Sequence, residues 1–156
     1  MKIAIALVAA LAARLPAATL TGDKALVIGA HDIQAQLTQL TPQAVAKGSS
    51  GSTVASYGNL ALNLSVRTTS GGGEVHQHFD DLMIVQQGSA TLVTGGALVD
   101  PKTGPNGEIK GTSVQNGISQ TITVGDVVIV PAGVPHQLLI PAGTTYSAMV
   151  AKIKEP

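Results

Sequence analysis

The sequence contains no cysteine and no tryptophan, and one phenylalanine and two tyrosines are its only aromatic residues. The absence of cysteine excludes disulfides, thiolate catalysis and zinc–sulfur sites. With so few aromatic rings, the chain has few side chains that could stack on nucleobases or sugar rings. Charge is scarce as well: nine basic and nine acidic residues make up 12% of the chain, and no lysine or arginine cluster occurs. We therefore expect no nucleic-acid partner.

What the chain does have is turn residues and apolar residues. Its 156 residues include 18 glycines and eight prolines, and 44% of them are hydrophobic. This composition is typical of a strand-rich globular domain, and the length allows one such domain.

The first residues predict an export signal. Lys2 is followed by an apolar run over residues 3–13, and the small residues Ala17 and Ala18 come soon after it. This pattern predicts a secretory signal peptide at residues 1–18 and a secreted or periplasmic protein. The run is shorter than the roughly 20 residues of a transmembrane helix, so we expect no stable membrane insertion. A buried N-terminal helix is the alternative interpretation.

Residues 19–58 predict one helix and a connector before the main domain. Ile33, Leu37 and Leu40 share a helical face within residues 31–41, with Asp32 as a candidate N-cap and Pro42 as the stop. The Gly- and Ser-rich residues 47–52 predict a flexible connector.

From residue 59 to residue 156 the pattern is that of strands. Leu60, Leu62, Leu64 and Val66 alternate with smaller or polar residues, which predicts a half-buried strand. Residues 97–117 predict a long loop or an irregular hairpin. Many short strands at regular spacing indicate a β-sandwich or a closed barrel; the predicted strands are 82–87, 90–95, 118–124, 127–130, 136–140 and 145–153.

Three histidines suggest a metal site. His76 and His78 are one residue apart in a predicted strand, so both side chains would point to the same face. His136 follows a Pro- and Gly-containing corner at residues 131–135. Taken singly, the pair could lie on the surface and His136 could be a buried residue bonded to backbone.

Together these segments resemble the two motifs of the cupin superfamily. The first covers residues 72–88 and contains His76, His78 and Gly88. The second has Gly125, five residues, Pro131, one residue, Gly133, two residues and His136, which is the family spacing without a gap. The resemblance implies an all-β fold: a double-stranded β-helix, or jelly-roll barrel, with a metal at its mouth and here a short N-terminal helix.

The first motif departs from the family at its acidic ligand. The family usually places a Glu after three or four residues beyond its second His, and this sequence has Leu82 and Met83 there. The acidic residue that has six residues between it and Gly88 is Asp81 instead. Asp81 is therefore a fourth ligand, a hydrogen-bond partner of a ligand His, or a turn residue, and the sequence leaves these three open.

The predicted ligands are thus His76, His78 and His136, with Asp81 as the fourth. Three imidazoles suit iron, copper, nickel or zinc. We expect one divalent transition metal per chain, with iron or copper favoured and zinc, nickel or manganese as alternatives.

The resemblance and the export signal predict an exported metal-dependent oxidoreductase. It would activate dioxygen or peroxide and act on a small organic or carbohydrate substrate, and oxidative polysaccharide cleavage is one version of this hypothesis. A redox-neutral sugar isomerase or lyase, or a metal- or ligand-binding protein without turnover, are the alternatives, since the fold does not decide between them.

The outer face of the barrel predicts a cover. Leu82 and Ile84 would face outward and are apolar, so a helix, an added strand or a second subunit should shield them. Because many cupins are dimers, the resemblance predicts a homodimer. Arg67 and Gln137 are polar candidates near the site, interpreted from sequence as surface residues.

Overall fold

The structure is a computed structural model that describes residues 18–19 and 25–156. The predicted signal peptide at residues 1–18 lies outside the described residues except for Ala18, and it stays a prediction. Within the described part of the chain, no helix combines the length and the apolar composition needed to cross a membrane.

Within residues 25–156 there is one α-helix, α1, which covers Ala30–Lys47 and is longer than predicted. Pro42 lies inside it, so the stop expected at that residue is wrong. A proline within a helix costs about 3 kcal/mol, and the burial of Leu40 and Ala44 on either side of it offsets this cost. The helix ends instead at Gly48, whose positive φ of 87° forms a left-handed cap.

The described residues otherwise form strands and turns. A short 3₁₀ turn spans Pro105–Gly107. In chain order the strands are β1 Ala18–Thr19, β2 Ser49–Tyr57, β3 Leu60–Arg67, β4 Gly73–His76, β5 Phe79–Gln87, β6 Ser89–Thr94, β7 Ala97–Val99, β8 Lys102–Thr103, β9 Glu108–Gly111, β10 Ser113–Gln115, β11 Ile118–Thr123, β12 Val127–Val130, β13 His136–Leu139 and β14 Tyr146–Lys154.

Two six-stranded sheets make up the barrel. One has the order β1-β2-β3-β14-β5-β12 and the other β11-β6-β13-β4-β9-β8. Consecutive strands alternate between the two sheets in two stretches of the chain: from β3 to β6, and again from β11 to β14. This crossing back and forth is the jelly-roll arrangement, so the predicted fold class is confirmed.

The segment expected to be a flexible connector is part of a sheet. Ser49–Tyr57 pairs antiparallel with β3 along its whole length. Its glycines and serines have weak strand preference, but pairing with a central strand satisfies their backbone groups, and α1 buries Val54. The segment at residues 97–117, predicted to be a long loop or an irregular hairpin, contains four short strands, of which β7 and β10 pair as a separate two-stranded ribbon.

The alternation of β3 separates two environments. Leu62, Leu64 and Val66 pack under α1 in an outer apolar cluster, which does not include Leu82 or Ile84, so the cover predicted for those two residues stays a prediction. The β3 residues between Leu62, Leu64 and Val66 face the interior of the barrel. There, a second apolar cluster built on Met83, Val85 and Tyr146 fills one end, and a cavity occupies the other.

Candidate metal centre

The cavity lies between the two sheets and has a volume of about 360 Å³. Polar and charged side chains reach it from both sheets: Glu74 and His76 from β4, Glu108 from β9, His136 from β13, Asp81 from β5 and Lys152 from β14. Such a convergence of titratable groups in a concave site is a functional-site signature.

Three of these residues form a group with the geometry of a metal site. Glu74, His76 and His136 each offer one ligand atom, and these atoms lie within 4.8 Å of one another. Glu74 and His76 are two residues apart on β4, so their side chains share a face. His136 is the cross-strand partner of Glu74, and its Nε2 lies 3.6 Å from the Glu74 carboxylate.

The corner before β13 sets the position of His136. Gly133 adopts a φ of +79°, a conformation that favours glycine, and its N–H donates a hydrogen bond to the carbonyl of His76 at 2.9 Å. The Nδ1–H of His136 donates to the carbonyl of Val134 at 3.1 Å. Because a carbonyl only accepts, this bond places the proton on Nδ1 and leaves Nε2 directed at the site.

His76 is held from the opposite side by Glu108. Its Nδ1 lies 2.8 Å from each carboxylate oxygen of Glu108, so the ring donates its Nδ1–H outward and presents Nε2 to the site. A carboxylate behind a ligating histidine fixes the tautomer and the ring orientation, as in many metal sites. Glu108 was not among the predicted site residues, since it is 32 residues from His76 along the chain, in the segment expected to be a long loop or an irregular hairpin.

Asp81 is buried in β5 rather than placed in a turn, so the interpretation as a turn residue is wrong. One carboxylate oxygen, Oδ2, lies 3.3 Å from Nε2 of His76 and 3.9 Å from Nε2 of His136. The other oxygen, Oδ1, accepts a hydrogen bond from the ammonium of Lys152 at 2.9 Å. Asp81 is thus placed between both histidines and a cation, and the two remaining interpretations, ligand and partner of a ligand, both fit this position.

The electrostatics of the site favour the ionised forms of Glu74 and Asp81. Burial alone would raise the pKa of Glu74, but the hydrogen bond and charge of His136 outweigh it and lower that pKa to about 2. Burial likewise opposes ionisation of Asp81, yet His76 and Lys152 lower its pKa below the usual value. Burial would lower the pKa of His76, but the hydrogen bond and charge of Asp81 raise it. The site therefore offers charged oxygen ligands beside two imidazoles.

The structure does not bring His78 to this site. β4 ends at His76 and β5 begins at Phe79, so Gln77 and His78 form the exposed turn between the two strands. The alternation that would have put both histidines on one face therefore stops at His76. In the described structure, Glu74 occupies the place that the sequence analysis gave to His78.

The family spacing itself contained the signal for this difference. If Asp81 is the acidic residue of the motif, four residues separate it from His76, which is the family spacing between the second His and the acidic ligand. The motif's first His, two residues earlier, then corresponds to Glu74. In this alignment the two motif positions are Glu74 and His76, whereas the prediction had assigned them to His76 and His78.

Gln137 also differs from its interpretation as a surface residue. It is buried; its side-chain oxygen accepts from the N–H of Val114 at 3.0 Å, and its amide donates to the carbonyl of Gly71 at 2.8 Å. These bonds hold the segment that leads into β4, and so support the position of Glu74 and His76.

The donor set fits a transition metal. Two imidazoles and one carboxylate are the donor set of a class of non-haem iron(II) sites, and the same donors accept zinc, nickel or manganese. Glu74, His76 and His136 would hold such an ion, with Asp81 adjacent.

Comparison with known proteins supports the fold. No protein-family model matches the sequence, and no curated protein matches it. A solved protein from Bacillus halodurans is similar with a TM-score of 0.56 at 12% identity, over 86% of this chain and 85% of that one. A Klebsiella pneumoniae protein with a double-stranded β-helix domain has a TM-score of 0.51 at 16% identity, over 69% of this chain and 78% of that one. The polyketide cyclase RemF from Streptomyces resistomycificus has a TM-score of 0.51 at 18% identity, over 70% of this chain and 69% of that one. The chain therefore has the cupin fold, the double-stranded β-helix that its two sequence motifs predicted.

Proposed function

We propose that this protein is a mononuclear iron(II) enzyme that oxidises a small organic molecule in the cavity. The observation that carries the proposal is the cluster of Glu74, His76 and His136, whose ligand atoms lie within 4.8 Å of one another. When bound, iron(II) would supply the one-electron chemistry that dioxygen or peroxide activation requires.

The carboxylates favour iron over copper. Three imidazoles, as predicted from the sequence, would suit iron or copper. With Glu74 in place of His78, and with Asp81 adjacent, the site offers harder oxygen donors, which suit iron, manganese or zinc better than copper.

The chain's own residues prepare the site. Glu108 and the carbonyl of Val134 orient the two imidazoles so that their Nε2 atoms face the cavity. Met83, Leu138 and Val150 provide apolar walls beside them. Ordered ligands next to an apolar wall lower the reorganisation needed at the reacting centre.

The cavity supports a small substrate rather than a polysaccharide. Its volume of about 360 Å³ is near the lower limit for small-molecule sites. No aromatic side chain is among its lining residues in the described chain. Aromatic side chains are the usual means of binding the flat faces of sugars, so this lining favours a small organic molecule other than a carbohydrate.

Iron binding and access to open positions test the proposal without a known substrate. Purified protein is loaded with iron(II) without oxygen, the bound metal is measured by equilibrium dialysis, and nitric oxide is added as a spectroscopic substitute for dioxygen. We expect one iron per chain and the paramagnetic resonance signal of an iron–nitrosyl complex, both lost in His136→Ala and retained in His78→Ala. Failure to bind iron, together with tight zinc binding, would support the redox-neutral isomerase or lyase instead.

Export and homodimer formation are proposed along with this activity. Export rests on the N-terminal sequence pattern and the homodimer on the resemblance to cupins, and both stay predictions.

A further inference from the structure

We infer that the molecule bound in this cavity carries a carboxylate, which the guanidinium of Arg67 binds and the ammonium of Lys110 attracts at the rim. The inference deepens the proposed function by giving its substrate class. The anion-binding residues are, however, separate from the proposed metal ligands.

Arg67 is a charged group facing the cavity, and no carboxylate of the described residues lies within 4.0 Å of its guanidinium. It stands on the inner face of β3 in line with Asn63 and Ser65, and it is half-buried. Within residues 25–156, its guanidinium forms no hydrogen bond and no ion pair within 4.0 Å. It packs closely over Gly71, where a Cβ would lie 2.8 Å from its Nη1, so the glycine makes room for it. A partly buried guanidinium without an acceptor is ready to bind an anion.

Lys110 lies at the same side of the cavity. It is exposed on β9 as the cross-strand partner of Glu74, and it lines the cavity wall. No ion pair within 4.0 Å joins it to any carboxylate of the described chain.

The charges around the cavity favour an anion once metal is present. Three cations, Arg67, Lys110 and Lys152, are balanced by three carboxylates, Glu74, Asp81 and Glu108. All three carboxylates already face a histidine or Lys152, whereas two of the cations have no such partner. A divalent ion at the metal centre therefore gives the cavity an excess of positive charge, which attracts an anion.

The remaining walls favour a carboxylate with a hydrocarbon body over an inorganic anion. A guanidinium matches the two oxygens of a planar carboxylate in a bidentate pair. Met83, Leu138 and Val150 lie within the same cavity and would contact an apolar chain. Inorganic phosphate would satisfy the cations but would leave these apolar walls in contact with water.

Binding measurements on a matched set of probes test the inference. Hexanoate, its uncharged amide and inorganic phosphate are titrated by NMR into the zinc-loaded and the metal-free protein, with zinc as a diamagnetic substitute for iron. We expect hexanoate to bind about tenfold to hundredfold more tightly than the amide, the range that a charge-assisted pair supplies. We also expect it to bind more tightly than phosphate.

Variants assign the effect to Arg67. Arg67→Met should remove the preference for hexanoate over its amide, and Arg67→Lys should restore only part of it because the two-pronged geometry is lost. Lys102→Met is the matched control, since Lys102 is an exposed cation on β8 outside the cavity lining. The NMR spectrum of each variant shows whether it is folded.

The outcomes separate this inference from the proposed function. Equal binding of hexanoate and its amide, preference for phosphate, or a preference that survives in both Arg67 variants overturns the carboxylate inference, even if iron binds. Conversely, an Arg67-dependent preference in a protein that binds no metal upholds the carboxylate inference and overturns the iron proposal alone.

Discussion

The ammonium of Lys152 donates a hydrogen bond to Asp81 at 2.9 Å, and the two residues are cross-strand partners of β14 and β5. The other oxygen of the same carboxylate lies 3.3 Å from His76. Asp81 therefore connects a cation of the protein with the candidate metal centre. One carboxylate cannot bind an ammonium and a metal ion at full strength, so Lys152 should limit the affinity of the centre for metal.

Removing Lys152 should accordingly tighten metal binding. Lys152→Met takes away a positive charge close to the ion and releases Asp81, and such a like-charge interaction is worth on the order of 1–4 kcal/mol. We expect an increase in affinity of about tenfold or more, measured by competition with a chromophoric chelator. Lys154→Met, an exposed lysine on the same strand, is the control. Unchanged affinity in Lys152→Met would show that Asp81 does not interact with the metal.

The identity of the ligands is tested by exchanging the predicted and observed sets. Glu74→Gln, His76→Ala and His136→Ala should each reduce the metal content strongly, since each removes one ligand atom. His78→Ala should leave it unchanged because His78 is exposed in a turn. Elemental analysis of the purified variants decides this, and loss of metal in His78→Ala with retention in Glu74→Gln would restore the His-x-His assignment.

Asp81 can be tested against its neighbour in sequence. Asp81→Asn should weaken metal binding about 10–100-fold, the usual effect of removing a group that orients or charges a metal site. Asp80→Asn should not, because the Oδ1 of Asp80 accepts a hydrogen bond from the N–H of Ala132 at 2.8 Å and an amide oxygen can accept it equally well. A weakened site in Asp80→Asn would mean that the corner at residues 131–135, rather than Asp81, controls affinity.

Glu108 should act through His76. In Glu108→Gln the amide can still accept one hydrogen bond, but it no longer provides a charge behind the imidazole, so metal affinity should fall about 10–100-fold. The metal-free protein should remain folded, as judged by circular dichroism. Glu155→Gln changes an exposed glutamate far along the chain and serves as the comparison. Equal affinities in both variants would exclude a role for Glu108.

Tyr146 should make the protein sensitive to alkaline pH. Burial raises the pKa of its hydroxyl from 10.0 to about 12, and the hydroxyl has no hydrogen-bond partner in the described structure. Because the pKa of Tyr146 is higher in the folded than in the unfolded protein, its contribution to stability is fully present below pH 10, the unfolded-state pKa. That contribution is lost as the pH rises from about 10 to about 12. The full loss is about 2–3 kcal/mol in the free energy of unfolding.

Tyr146→Phe removes this dependence. At pH 7 the variant should be as stable as the parent or slightly more stable, because a buried hydroxyl without a partner is replaced by hydrogen. Urea unfolding at pH 7 and pH 11 measures both effects, with Tyr57→Phe as the control at a half-exposed tyrosine. A steep alkaline loss that persists in Tyr146→Phe would assign the sensitivity to another group.

Much of the fold could be predicted because its determinants are local. The alternation from Leu60 to Val66 is set by side-chain direction along a strand, and it correctly divided the apolar outer face from the polar inner face. The spacing of Gly125, Pro131, Gly133 and His136 likewise depends on one tight corner, where Gly133 has the positive φ that such a corner requires. The strand pattern predicted a sandwich or a closed barrel, and the resemblance of the two motifs to the cupin superfamily implied the double-stranded β-helix and brought His76 and His136 together.

The composition of the candidate metal centre was decided by the tertiary structure. Glu74, His76 and His78 are at alternate positions, so whether His78 joins the other two at the cavity depends on where β4 ends, and the turn at residues 77–78 stops the alternation at His76. Glu108 and Lys152 enter the site only through pairing of β9 with β4 and of β14 with β5, over separations of 32 and 71 residues. Similarly, Ser49–Tyr57 becomes a strand because β3 and α1 provide partners for it. The sequence by itself determined the barrel, its corner and its two histidines; the pairing of distant strands selected the carboxylates and the lysine around them, because long-range register is not encoded in any local segment.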